Sequence, residues 1–253
     1  MGSGYTYKEY VASKDFYEKY SAYQRHYADS PRESDKVLID LVRRIVTETG
    51  RDSLRVLDVG CSTGNLLMHL RRNLPRLELT GGDLMAYVVE ECRANDKLQG
   101  IHFELMDILD IPSARPFDVI IANAVLYLFE DEQLDRIVGS VAKALGSGGH
   151  FLAFDFCHDY PQRIQIIEKS SSHPEGLPIH FRPAEAFTRA FSAHGFSGAE
   201  YHPFRIGIDL HPSRNPGEEL NTFTRQTTSG ERLLFRGALF QPWCHIVARK
   251  AAG

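Results

Sequence analysis

Four polar residues stand at the ends of apolar runs, and their types and order suit a hydroxyl-rich ligand. Asp58 lies in Val56-Leu57-Asp58-Val59-Gly60-Cys61-Ser62-Thr63-Gly64-Asn65, and Asp83 and Leu84 follow Leu79-Thr80-Gly81-Gly82. Asp107 and Ile108 follow Glu104-Leu105-Met106, and Asn123-Ala124 closes Asp118-Val119-Ile120-Ile121-Ala122. An ionised carboxylate only accepts hydrogen bonds, so an acid at Asp83, just past a strand, suits the two hydroxyls of a ribose. The glycines at 60 and 64 allow a ligand to approach the main chain. Each acid alone also reads as a helix cap or turn former. The succession of all four is what points to one site.

The loop from Gly60 to Gly64 admits three chemistries. A dinucleotide site requires G-x-G-x-x-G, and a glycine of that pattern is missing. A nucleophile elbow requires G-x-S-x-G, which Gly60-Cys61-Ser62-Thr63-Gly64 satisfies with Ser62 as nucleophile. That elbow should follow several strands, whereas this loop follows the first. The third is a cofactor loop with an acid two positions before the first glycine. Through this loop and the acids at 83 and 107, in that order, the chain resembles class I S-adenosylmethionine-dependent methyltransferases. A non-catalytic module on the same fold is a further alternative.

The resemblance implies S-adenosylmethionine as cofactor, held by Asp58, Gly60, Cys61, Ser62, Gly64 and Asn65, with Asp83 on the ribose. It implies Asp107 on the adenine amino group, Leu84 and Ile108 on the faces of the base, and Asn123 and Ala124 beside the reaction centre. An N-terminal lid is also implied, with Tyr20 or Tyr27 offering a hydroxyl and Arg25 meeting the methionine carboxylate. Ser62 replaces a glycine often found in this loop, a tolerable change if its backbone angle is ordinary. The segment after Asn123 lacks the Asp/Asn-Pro-Pro-Tyr signature of nucleobase methylation, which favours a small-molecule acceptor and methyl transfer to N or O. Tyr127, His158 and Asp159 are expected on the substrate, with His158 the candidate base; His173, His180 and His245 are weaker candidates. No histidine pair shows helical ligand spacing with a third partner, so no metal is expected.

The elements that would position these residues alternate. Strands are expected at Arg55–Val59, Leu77–Gly82, Ile101–Met106, Phe117–Ala122 and His150–Cys157, with helices at Asn65–Asn73 and Ala86–Ala94 and another ending before Gly146. This rhythm signals parallel βαβ units. Ser30-Pro31-Arg32-Glu33 reads as a capping box opening a helix that Gly50 ends. Phe16, Tyr20, Tyr23 and Tyr27 fall on one helical stripe. Residues 159 to 182, interrupted by prolines, read as a lid loop, and Pro183–His194 as a helix. Tail strands are expected at Ala199–Leu210, Asn221–Thr227, Arg232–Leu239 and Trp243–Ala248, with a hairpin turn at Ser229-Gly230. The expected fold is a doubly wound, Rossmann-like α/β domain over 1–253: a mostly parallel seven-stranded sheet with antiparallel C-terminal strands. Its parts would be the lid (1–30), the cofactor-binding core (31–158) and the tail (159–253).

Composition narrows the partners. Among 253 residues, 29 Lys and Arg against 33 Asp and Glu give a formal charge of −4. That balance lacks the basic footprint of a nucleic-acid binder. No apolar run approaches the roughly 20 residues that span a bilayer, and no signal peptide is read at the polar N-terminus. Gly2 fits a loose myristoylation pattern, but no second membrane signal follows it. The 4 scattered cysteines fit a reducing cytoplasm. A monomer or homodimer acting on a small molecule, without a membrane, is expected.

Overall fold

The computed structural model describes residues 14–51, 53–112, 114–169, 175–212, 222–236 and 239–252, without the side chains of 14–16, 19 and 20. Gly2, His173, and the side chains of Phe16 and Tyr20 lie outside the described residues. Helix α1 (Lys14–Arg25) and helix α2 (Glu33–Thr49) precede the alternating core. The core runs β1 (Arg55–Val59), α3 (Asn65–Asn73), β2 (Glu78–Asp83), α4 (Ala86–Ala94), β3 (His102–Leu105), β4 (Phe117–Asn123), α5 (Asp131–Ala144) and β5 (Leu145–His158). There follow β6 (Ile164–Glu168), β7 (Leu177–Pro183), α6 (Ala184–Ala193), β8 (Phe196–Pro203), β9 (Thr222–Gln226), β10 (Arg232–Arg236), β11 (Leu239–Phe240) and β12 (Trp243–Lys250).

The main path of the central sheet is β3-β2-β1-β4-β5-β12-β8. Its first five strands are parallel, and β12 lies antiparallel between β5 and β8. The chain winds outward from β1 in one direction and from β4 in the other, so the crevice for a ligand opens at their carboxyl ends. Strand residues alternate between two apolar layers. Leu57, Ile120 and Phe151 pack with α5 and α6, while Val56, Val119 and Leu152 pack with α2, α3 and α4. This is the Rossmann-like α/β fold expected.

Three local expectations are corrected. Helix α2 starts at Glu33 with Arg32 at its N-cap and no side-chain cap. Instead of a Ser30 capping box, Arg32 grips Asp35 through two 2.8 Å hydrogen bonds. The supposed lid loop of 159 to 182 contains the antiparallel hairpin β6–β7, and β7 joins the end of β5. Leu177, Ile179 and Phe181 alternate inward there and form a small core with Phe156. Finally, β8 begins at Phe196 and ends at Pro203, and the tail divides. β8 and β12 extend the main sheet, while β9, β10 and β11 form a separate three-stranded sheet. The turn between β9 and β10 is closed by Thr227 N donating to Glu231 O (2.8 Å), with Gly230 at φ +85°.

Candidate active site

At the carboxyl end of β1 the loop is clamped to β2: the Gly60 and Cys61 amides both donate to Gly82 O, at 2.7 and 3.1 Å. Gly60 has φ +78°, and a Cβ there would stand 2.8 Å from Val125 Cγ2. The condition on which Ser62 was a tolerable change is not met, since its φ is +48°. A left-handed serine costs on the order of 1–2 kcal/mol. Hydrogen bonds hold it there: its amide donates to Asp83 Oδ2 (3.1 Å), and its carbonyl accepts from Cys92 Sγ (3.1 Å). Ser62 Oγ is buried without a partner. A serine nucleophile needs a base in hydrogen-bond reach, so the elbow reading fails here.

The loop borders a cavity of about 180 Å³ whose walls include Gly60, Ser62, Asp83, Leu84, Asp107, Ile108, Asn123 and Ala124. Eight expected cofactor residues thus meet at one place. Burial pushes the Asp83 carboxyl up, and amides including those of Met85 and Ser62 act against that rise. Asp107 Oδ1 accepts from the Leu109 amide at 3.0 Å. Asp58 lies just beneath, 2% exposed, and burial followed by the nearby Asp35 charge pushes its carboxyl up to about 7. Asn123 Nδ2 donates to Asp35 Oδ1 at 3.0 Å, tying β4 to α2. Asp58 Oδ1 and Asn123 Oδ1 are buried acceptors without partners. Their demand is for N–H or O–H donors. The carboxylates of Asp83 and Asp107 line this cavity, and the hydroxyl and amino groups of a nucleoside are donors that suit them.

Other expected cofactor residues are placed elsewhere. Cys61 is buried beneath the loop, and Gly64, at φ +72°, opens α3 with its Cα against Leu98 and Phe103. Asn65 faces the N-terminal helix: its Nδ2 donates to Gln24 O at 2.7 Å. His69 Nε2 donates to Tyr27 O (2.8 Å) and Arg72 to Ala28 O (3.1 Å). Residues 65, 69 and 72 share one face of α3, which thereby holds the end of α1. Arg25 sits beside Thr63 and Asn65 and does not line this cavity. Among the described lid residues, Tyr17 lines that cavity, and the sequence reading did not name it. Its ring meets Tyr87 edge-on at 5.1 Å and its hydroxyl donates to Glu91 at 3.1 Å.

A second cavity, about 410 Å³, adjoins the first, and Ala124 and Tyr127 line both. Tyr23, His26, Tyr27 and Arg32 form one wall, and Phe204, Ile206, Leu234 and Trp243 the other. Tyr27 therefore faces this space and not the first. His26 Nδ1 donates to Tyr23 O at 3.1 Å, leaving the Nε2 lone pair. His158 and Asp159 are not brought to either space: they line a third cavity of about 490 Å³ that shares no wall with the first. The reason is the β6–β7 hairpin, which leads the chain away after His158. His180 and His245 are structural. Each is 1% exposed and pushed down to about 4 by burial, with His180 accepting from Arg163 and His245 donating to Ser34 O.

A methyltransferase-domain family profile matches residues 23–201. The ubiquinone/menaquinone biosynthesis C-methyltransferase UbiE of Desulfotalea psychrophila is 25% identical over 178 residues, covering 62% of this chain and 72% of that protein. A malonyl-[acyl-carrier protein] O-methyltransferase of Acetivibrio thermocellus is 25% identical, covering 55% of this chain and 49% of its own. A fatty-acid O-methyltransferase of Mycolicibacterium smegmatis is 28% identical, covering 49% and 44%. The chain thus spans about half the length of several curated relatives. Among solved structures, the CurJ carbon methyltransferase superposes with a TM-score of 0.60 at 15% identity, over 93% of this chain and 59% of that one. The sugar N-methyltransferase KedS8 of a Streptoalloteichus species gives 0.55 at 16%, over 92% and 93%.

Proposed function

The chain belongs to the methyltransferase-domain family, and from that premise we propose that it methylates an oxygen or nitrogen of a largely apolar small molecule seated in the 410 Å³ cavity. The observation that carries this reading is the shared wall: Ala124 and Tyr127 border both cavities, so an acceptor atom in one can face a group held in the other. The aromatic and aliphatic lining favours an apolar acceptor. A curated relative named for fatty-acid O-methylation agrees with that.

S-adenosylmethionine supplies an electrophilic methyl on a sulfonium sulfur when bound. In this reading Asp83 orients the ribose, Asp107 and Ile108 the base, and Asp58 with Asn123 the amino end. Tyr17 covers the cavity from the lid and excludes water. The walls of the second cavity hold the acceptor in line, a contribution of about 7–11 kcal/mol in well-aligned cases. Among the described residues lining the second cavity, His26 offers Nε2 to take a proton from a hydroxyl or ammonium acceptor.

Calorimetric titration with S-adenosylmethionine and S-adenosylhomocysteine tests the cofactor half. Micromolar binding of both is expected, and no binding by folded protein overturns it. Asp83→Ala should weaken binding about ten- to hundred-fold; an unchanged Kd in a folded variant refutes the ribose assignment. Acceptor screening with apolar phenols, carboxylic acids and amines then tests the second cavity.

A further inference from the structure

Residues 124–130 join β4 to α5 and carry the wall shared by the first and second cavities, yet their regular structure is one 3-10 turn, Leu126–Leu128. Ala124 stands at φ +60°, which costs a non-glycine residue on the order of 1–2 kcal/mol. Two charged side chains hold this segment. Asp155, on β5, accepts the Leu126 and Tyr127 amides on Oδ2 at 2.8 and 3.1 Å, and the amide of its strand neighbour Phe156 on Oδ1 at 2.8 Å. Arg182, on β7, donates to the Leu126 carbonyl at 3.2 Å, to the Phe129 carbonyl, and through Nε to Asp131 Oδ1 at 2.7 Å. The acid takes donors of the segment and the arginine its acceptors, with Leu126 gripped by both. Arg163, just before β6, adds ion pairs to Glu130 (2.7 Å) and Asp131 (3.2 Å).

Asp155 and Arg182 are each 0% exposed. Burial pushes the Asp155 carboxyl up to about 7, although three amides and Arg182 act against the rise. Two desolvated charges are a poor way to stabilise a core, since apolar residues of similar volume often serve as well or better. What the charges supply is strong, directional hydrogen bonding to an irregular main chain. The segment so held is a working surface: Ala124, Val125, Tyr127, Leu128 and Phe129 line the first cavity, and Ala124 and Tyr127 also line the second. Asp155 and Arg182 line neither, so they act on both cavities through the segment they grip.

We infer that Asp155 and Arg182 are positioning residues that clamp 124–129 and thereby fix Ala124 and Tyr127 at the boundary the methyl group crosses. The role rests on the proposed methyl transfer, which defines what crosses that boundary.

The probe is S-adenosylhomocysteine, titrated by calorimetry, together with the emission of Trp243, the single tryptophan of the chain, which meets the Tyr127 ring edge-on at 5.9 Å. Arg182→Met keeps most of the bulk and removes the donors, whereas Arg182→Lys keeps the charge and an ammonium donor. The Met variant should bind about tenfold more weakly, with a shift in Trp243 emission and faster amide exchange at 124–129 in the free protein. The Lys variant should recover affinity to within about threefold of wild type. Should the Met variant not fold, Asp131→Ala, at an exposed residue, releases Nε alone and should weaken binding about threefold with the same emission shift. Folded wild-type protein that does not bind S-adenosylhomocysteine overturns the methyl-transfer reading and this role together. Wild-type binding with affinity and emission unchanged in the folded Met variant (or, failing that, in Asp131→Ala) overturns the role alone, as do equal losses in the Met and Lys variants.

Discussion

The cavity proposed for the cofactor and the one proposed for the acceptor touch at Ala124 and Tyr127, yet they are built from different materials. The first is made of the ends of adjacent parallel strands. Its polar groups are fixed by the sheet register, with Asp58 opposite Gly81 and Val59 opposite Gly82, and by main-chain clamps on Gly82 O. The second is made of side chains from segments far apart in sequence: residues 23–34 on one side, 204–210 and 222–243 on the other. A strand-end site is determined by local pattern, whereas a site between a helical lid and a separate sheet depends on how non-local pieces meet. The first should therefore be intolerant of backbone change and the second tolerant of side-chain replacement.

The sharpest test of that difference is Gly60→Val. A side chain at φ +78° is strained, and its Cβ would overlap Val125. Cofactor affinity is expected to fall more than a hundredfold by calorimetry, with the far-ultraviolet circular dichroism unchanged. A loss below tenfold would mean that main-chain approach at Gly60 does not build the site.

Asp58→Asn should act on binding and stability in opposite directions. Burial holds the carboxyl near 7 instead of its ordinary 3.8, with Asp35 and Asp83 raising it further and Arg32 opposing them. Between those values the folded chain keeps a proton that the unfolded chain has lost, so stability falls as pH rises through the window. Removing the charge should stabilise the free protein at pH 8 by about 1–3 kcal/mol, read from denaturant midpoints, with no gain at pH 4. Cofactor affinity should fall about tenfold, because a cationic amine loses a carboxylate partner. A stability gain without loss of affinity would remove Asp58 from the cofactor site.

The same contrast explains what the sequence disclosed. β1, α3 and α4 fall on their expected bounds, because apolar runs closed by glycine and acid leave little choice of register. In the lid, aromatics at 16, 20, 23 and 27 make a conspicuous stripe, and among the described side chains of α1 the buried ones are Tyr17, Ser21 and Gln24. Small and polar residues hide that face from a hydrophobicity pattern, although Asn65 and its neighbours on α3 create it. The β6–β7 hairpin was hidden by Pro178 and Pro183, and β6 is a largely exposed strand with little apolar alternation. His158 looked placed for chemistry because it ends β5, and only the hairpin decides that it faces a different cavity.

On the acceptor side, Ile206→Trp should leave the cofactor Kd within about twofold, since residue 206 has no part in the first cavity. With an acceptor in hand, its KM should rise about tenfold while kcat at saturation changes little, the signature of lost uniform binding. A fall in kcat at unchanged KM would place the acceptor elsewhere.

The smallest effect is expected at Asn65, and it distinguishes touching the cofactor from positioning the lid. Its amide spans 2.7 Å to Gln24 O and so helps to hold α1, which carries Tyr17 to the cofactor cavity. A single neutral hydrogen bond contributes about 0.5–1.5 kcal/mol. The parallel anchors from His69 and Arg72 remain in an Asn65→Ala variant. Affinity should therefore fall only about threefold, mostly through faster cofactor dissociation as the lid opens more often, and amide exchange should quicken in residues 17–25. Asn65→Asp, which keeps the size but cannot donate, should behave alike. A loss beyond thirtyfold, with exchange in the lid unchanged, would mean that Asn65 meets the cofactor directly and that α1 is held without it.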